Sequence, residues 1–230
     1  MVMRTRFIAL EGIDGAGKRT QLDLLVRLLQ ERKIAYACFS FPRYDSFFGR
    51  QVARYLNGGF GPLEAVDPHF SALLYAGDRW EAREKLAQAL HPTRVVLADR
   101  YIASNLAHQG ARVPAERREA FFAWVKQLEY EVFGLPREDL VIYLRLPAGE
   151  AQRLVARKAA REYTSRSQDL HEADLRHLEE AARVYDQLAG EENWVTVECL
   201  DAQGNLRTPD EIHTALVKAV EGRKPDLLVR

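Results

Sequence analysis

Several things are scarce in this chain, and each scarcity narrows what it can be. There are two cysteines, Cys38 and Cys199, far apart and without the paired spacing of a zinc or disulfide motif. That predicts a reduced, cytoplasmic setting with two structural thiols. No apolar run approaches the roughly 20 residues that a membrane span needs. The opening Met-Val-Met-Arg-Thr-Arg leads straight into an apolar run instead of a secretion signal, so no membrane partner is expected. Charge of one sign is not in excess: 33 Lys and Arg balance 33 Asp and Glu. General nucleic-acid binders are usually basic, so no nucleic-acid partner is expected. Missing as well are an Asn-Lys-x-Asp element for guanine, a Gly-x-Ser-x-Gly turn and a His-Glu-x-x-His pair, which argues against a GTPase, that type of serine hydrolase and a zinc peptidase. The six histidines, among them His69, His108 and His171, show no ligand spacing.

What is present is concentrated between Phe7 and Gln21. Phe7–Leu10 is a short apolar run suited to a buried strand. Gly12, Ile13, Asp14, Gly15, Ala16, Gly17 and Lys18 follow, then Arg19 and Thr20, after which Leu22, Leu25, Leu28 and Leu29 fall at helical spacing. Glycines between a strand and a helix form the context of a phosphate-binding P-loop. They let the backbone curl until several N–H groups point at one anion, and the helix start adds positive dipole. Lys18 then places an ammonium on the terminal phosphates. One residue departs from the pattern. The Ser or Thr that normally follows the lysine and ligates Mg²⁺ is here Arg19, and a guanidinium cannot ligate a cation. Either the metal is held elsewhere, or the loop does not work in the usual way.

The rest of the chain alternates strand and helix. Periodicity predicts a helix over Thr20–Arg32, a strand over Ile34–Phe41, helices over Gly49–Leu56 and Pro68–Leu90, and a strand over Arg94–Asp99. Helices over Ser104–Ala111 and Ala115–Val132 precede a strand over Asp139–Leu146 and a helix over Ala148–Ala160. A charged segment, Arg161–Asp169, leads to a helix over Glu172–Leu188, a strand over Trp194–Leu200, a helix over Pro209–Glu221 and a loose tail from Gly222 to Arg230. Without repeats or low-complexity linkers, this predicts one α/β domain across residues 1–230, with a five-stranded parallel sheet flanked by helices on both faces.

Ligands of such sheets bind at the carboxyl ends of the strands, where this chain is polar. Pro42, Arg43 and Tyr44 follow the second strand; Asp99, Arg100 and Tyr101 follow the third. An acid ending a strand in a P-loop protein suits a position oriented to metal or its water; a helix N-cap is the alternative for Asp99. Tyr75 and Arg79 share one helical face. They could stack on a base and bind its edge or a phosphate, or be a core ring and a surface charge. Arg153, Arg157 and Arg161 would project from one face, with Arg166 beyond. Such a row repels itself unless a polyanion visits. A lid that carries arginines onto a transferring phosphoryl group is one reading; a solvated helix with partners such as Glu162 is the other. Glu172 could ligate metal or simply start its helix.

Five blocks in order now carry a resemblance: Glu11 to Lys18, Phe41-Pro42-Arg43-Tyr44, Leu74 to Arg79, Asp99 to Asn105, and Gly134-Leu135-Pro136. Over roughly residues 5–220 the chain resembles the thymidylate kinase family. The resemblance implies a P-loop kinase fold with a helical lid around residues 153–170, Mg²⁺-dependent transfer of the ATP γ-phosphoryl group to dTMP, and a homodimer. It implies that Gly12–Thr20 binds ATP and that Lys18, Arg100, Asp14, Arg157, Arg161 and Arg166 serve catalysis. Phe41, Pro42, Arg43, Tyr44, Tyr75, Arg79, Arg100, Ser104, Asn105 and His108 would form the dTMP site. Within it Tyr75 would stack on thymine, Arg79 would read its carbonyl oxygen, and Arg43 and Arg100 would grip the phosphate. His108 stands near where some bacterial members place a tyrosine by the sugar. Asp14, Asp99 and Glu172 would serve the metal. Members of this family carry the catalytic arginine either in the P-loop or in the lid; Gly15 places this chain with the second type. Adenine contacts are expected around Cys199–Asn205.

Overall fold

In a computed structural model describing residues 6–90, 95–161, 175–225 and 227–228, the side chains of residues 157–161 excepted, the first apolar run becomes strand β1 (Arg6–Glu11). Its Phe7 to Glu11 are all buried. β1 is the centre of a five-stranded sheet. It pairs in parallel with β3 (Val95–Asp99) on one side and β4 (Leu140–Arg145) on the other, with β2 (Tyr36–Ser40) and β5 (Trp194–Glu198) outermost, in the order β2-β3-β1-β4-β5. β1, β3 and β4 read as nearly continuous apolar stretches because helices cover the sheet, leaving no polar face to alternate with. The covering helices are α1 (Lys18–Glu31), α2 (Phe47–Leu56), α3 (Pro68–Leu90), α4 (Ile102–Gly110), α5 (Arg118–Lys126), α6 (Ala148–Arg161), α7 (Leu175–Leu188) and α8 (Pro209–Arg223). Among them α2 lies on α3, α4 on α7, and α1 on α8.

Register positions the site. Leu10 stands opposite Asp99, so β1 and β3 end side by side and the loops after them emerge together. The Arg100 amide continues that alignment by donating to Leu10 O (3.0 Å). Local chemistry sets several helix starts. Ser46 caps α2 by accepting from Gly49 N (2.8 Å), earlier than the predicted Gly49. Thr208 and Glu211 form a reciprocal capping box at α8, with Pro209 in its first turn. α1 begins at Lys18 because Gly17 adopts a left-handed conformation (φ 87°) and hands the chain directly into the helix.

The predicted helix over Ala115–Val132 is not one α-helix. A 3₁₀ turn, Ala115–Arg117, precedes α5, and a π-helical segment, Gln127–Val132, follows it. Phe133 N donates to Leu128 O and Leu135 N to Glu129 O, and Gly134, left-handed at φ 64°, ends the segment. The tail is also corrected. Leu227 and Leu228 are fully buried in the main core, and Arg32 Nη1 donates to Leu228 O (2.8 Å). Two leucines in sequence are enough apolar surface to dock this end. No helix among the described residues is long and apolar enough to cross a membrane.

Candidate active site

The loop after β1 curls as its glycines require. A Cβ built on Gly15, where φ is +88°, would stand 2.4 Å from Ala151 O in α6. Only a residue without a side chain fits between loop and helix. Lys18 is buried, and its Nζ donates to the carbonyl oxygens of Gly12 and Ile13, each at 2.9 Å. Burial, reinforced by the nearby Arg100 cation, lowers the Lys18 ammonium to about 8. The Arg19 side chain is exposed and pairs with Asp23 one helical turn on (3.1 Å). Thr20 is exposed beside it.

Arg100 faces the loop. It is a non-glycine residue with φ +64°, a conformation that costs on the order of 1–3 kcal/mol and persists only where surroundings impose it. Here they do. Its guanidinium donates to Asp14 Oδ1, to Gly12 O (3.2 Å) and to Ser104 Oγ (3.1 Å), and lies 3.2 Å from His108 Nε2. Burial opposes the charge, but Asp14 first, then Tyr185, Asp99 and Glu11, raise the guanidinium above its ordinary value. Glu11 braces this corner from beneath. Fully buried, it accepts from Tyr101 N (2.7 Å), Ser104 Oγ (2.6 Å) and Tyr185 OH (2.8 Å). Ser104 is thus committed to Glu11 and Arg100.

Asp14 and Arg100 line a cleft together with Phe41, Pro42, Tyr44, Leu56, Tyr75, Arg79, Ser104, Asn105, His108 and Gln109. Nine of the ten residues expected from the sequence to surround dTMP therefore meet in one place. The tenth, Arg43, is not among its walls. Its guanidinium is held by Asp78, Nε to Oδ1 at 3.2 Å and Nη2 to the backbone oxygen at 2.8 Å. Tyr75 lines the cleft and meets Tyr55 edge to face at 6.4 Å. Arg79 is no surface charge: it is fully buried and bidentate to Glu129, Nε–Oε2 2.5 Å and Nη2–Oε1 2.7 Å. Burial works against its charge, but Glu129 holds its pKa above the ordinary value.

Of the cleft lining, Leu56 and Gln109 escaped the sequence reading, and so did Glu129, which holds Arg79 and Asn105. Gln109 lies one helical turn beyond Asn105, a spacing that would have placed it on the same face. Glu129 shares the buried stripe of Phe122 and Val125; an acid on an apolar stripe is itself a signal that something buried needs it.

A metal can be tested against these groups. Asp99 Oδ1 is buried without a hydrogen-bond partner, at the strand end beside the P-loop, and Asp14 adds a second carboxylate. Hard oxygen donors in this number suit Mg²⁺, which commonly uses one or two carboxylates and completes its shell with phosphates and water. No cluster of three or more metal-ligating side chains occurs among the described residues. Glu172 and Arg166 lie outside the described residues, as do the side chains of Arg157 and Arg161. α6 does carry Arg153, which pairs with Glu150 on its own helix (2.5 Å).

Comparison with known proteins adds to this geometry. A family model described as thymidylate kinase matches residues 10–208. The thymidylate kinase of Mycobacterium tuberculosis is 33% identical over 185 residues, 80% of this chain and 86% of the relative. A probable thymidylate kinase of Pyrococcus abyssi is 36% identical over 153 residues, 66% of this chain and 70% of the relative. The solved structure of thymidylate kinase from Candida albicans is similar in fold, with a TM-score of 0.72, 20% identity, and 96% and 93% of the two chains covered.

Proposed function

This chain belongs to the thymidylate kinase family, and we propose that its cleft binds dTMP and passes the γ-phosphoryl group of ATP to it, giving dTDP and ADP. The observation that carries the reading is the cleft itself. It brings the P-loop acid Asp14 and the constrained Arg100 into one lining with Tyr75, Arg79 and Asn105.

The reaction needs no covalent enzyme intermediate. An oxygen of the acceptor phosphate attacks the γ-phosphorus in line, and the protein positions the two groups and neutralises developing charge. The acceptor phosphate is mostly ionised near neutral pH, its second pKa being about 6, so no dedicated base is required. Lys18, now resting on Gly12 and Ile13 carbonyls, exchanges those oxygens for ATP phosphates. Arg100 meets the phosphates from the opposite side while Asp14 keeps it aimed. Tyr75 stacks on the base, and His108 borders the sugar. Arg43 reaches the acceptor phosphate by releasing Asp78. Asp99 and Asp14 would hold Mg²⁺, which when bound neutralises phosphate charge. Arginines of the lid, Arg157, Arg161 and Arg166, supply the positive charge that Gly15 leaves out of the P-loop.

The same reading takes residues 1–230 as one kinase domain working in the cytoplasm as a homodimer. Phe70, Leu73 and Trp80 are exposed on α3 at spacings that share a helical stripe. Sedimentation giving a monomer at micromolar concentration would remove the dimer from this account.

The test of function is ADP release with ATP and one of dTMP, dUMP, dCMP, dGMP or thymidine. Strong preference for dTMP is expected. Turnover of thymidine alone would make the protein a nucleoside kinase, and none with any acceptor would make it a nucleotide-binding protein without transfer activity.

A further inference from the structure

Arg79 and Asn105 line the cleft from different helices, α3 and α4, yet one buried carboxylate holds both. Glu129 accepts from Arg79 Nε and Nη2 and, at 2.8 Å, from Asn105 Nδ2. Ala72 O takes a second hydrogen bond from the same Nδ2 (3.0 Å). Two acceptors on one nitrogen decide which end of the amide is which. Asn105 Oδ1 is left buried and without a partner, in a side chain that lines the cleft. A carboxylate can only accept, so both neighbours must turn donors toward Glu129. What remains for a ligand is an acceptor on Asn105 and a spare guanidinium nitrogen, Nη1, on Arg79.

We propose that Glu129 is a specificity-positioning residue: it sets the polarity of this edge so that the cleft takes a pyrimidine presenting a ring N–H beside a carbonyl and refuses one presenting a bare ring nitrogen beside an amino group. The inference rests on the reading of this cleft as the dTMP site. Thymine offers N3–H to Asn105 Oδ1 and O4 to Arg79. Cytosine reverses both groups, placing a lone pair against Oδ1 and an N–H against the guanidinium. Asn105 cannot turn over to accommodate it, because Oδ1 would then face the Glu129 carboxylate and Ala72 O. Sites built on buried hydrogen bonds reject a mismatched analogue strongly, since their polar groups are left unpaired.

The probe pair is dTMP against 5-methyl-dCMP, which share the ring methyl and differ at this edge. The wild type should prefer dTMP. In Glu129→Gln the neutral amide can donate as well as accept, so Asn105 is released and Arg79 loses its counter-charge. The ratio of kcat/KM for the two substrates should fall by roughly tenfold or more, chiefly through KM for dTMP, with KM for ATP unchanged. If both substrates lose equally and the ratio stays within about twofold of wild type, Glu129 only neutralises a buried charge and the proposal is overturned. Should Glu129→Gln not fold, Glu129→Asp keeps the charge but is too short to hold Arg79 and Asn105 together. A reduced ratio in it supports the proposal, and a wild-type ratio overturns it. A wild type that uses both substrates alike would instead refute the reading of the cleft itself.

Discussion

Gly15 and the backbone of Ala151 are in mutual contact: the P-loop passes so close to α6 that a Cβ at Gly15 would lie 2.4 Å from Ala151 O and 2.9 Å from Ala151 C. The contact gives a steric reason for the glycine. In this chain the loop has no room for a catalytic arginine at that place unless α6 moves. Ala151 lies in the first turn of α6, so the loop is packed directly on the start of that helix.

Gly15→Ala should therefore displace α6 and strain the loop. Left-handed backbone alone costs a non-glycine residue about 1–2 kcal/mol, and the backbone clash adds to it. We expect kcat/KM for ATP to drop by roughly tenfold or more, with a lower unfolding temperature. Wild-type kinetics in this variant would mean that the loop and α6 separate freely.

Lys18→Met should abolish nearly all turnover and leave the fold intact, because its ammonium hydrogen-bonds only to loop carbonyls in the free protein. The wild-type pH profile provides a second check. Burial lowers Lys18 to about 8, so in the free enzyme its charge is present below that pH and lost above it. kcat/KM for ATP, which reports the free enzyme, should fall as pH rises through this value. kcat should persist to higher pH, since bound phosphates favour the charged amine. A flat profile of kcat/KM from neutral to alkaline pH would contradict the role.

Arg157, Arg161 and Arg166, changed to alanine one at a time, should lower kcat more than dTMP affinity, as expected of groups that engage only when charge develops. Changes confined to KM would remove them from the transferring group. Arg153, already paired with Glu150, should matter least among these arginines.

Glu138, just before β4, is buried and accepts from Tyr130 OH (2.6 Å). Burial raises its carboxyl from 4.5 to about 7. The folded state then holds this proton more tightly than the unfolded chain does, so stability declines as pH rises from 4.5 to 7, by an amount of order 3 kcal/mol. Glu138→Gln should be free of this decline. Its advantage over wild type in urea unfolding should be larger at pH 8 than at pH 5. An equal difference at the two pH values would show that Glu138 does not titrate in this range.

Local spacing was enough to recognise a good deal of this protein. Glycines between an apolar run and a helical pattern identified the P-loop, and the residues after the second and third strands supplied Pro42, Tyr44 and Arg100 of the cleft, while Ser104, Asn105 and His108 came only from the family resemblance. These signals are legible because loop geometry and helix periodicity involve neighbours in sequence. What the chain's own pattern could not reveal depends on partners far away. Arg79 could be read as a base-binding group or as a surface charge, and neither reading foresaw Glu129, 50 residues on, held against it by the fold. Arg43 resembled a free phosphate clamp until Asp78 was seen to hold it. The tail seemed loose, yet Leu227 and Leu228 complete a core assembled from distant strands and helices. Even Gly15 was legible only as an absent arginine; the reason nothing larger fits is the backbone of Ala151, and only the packing of α6 onto the loop puts it there.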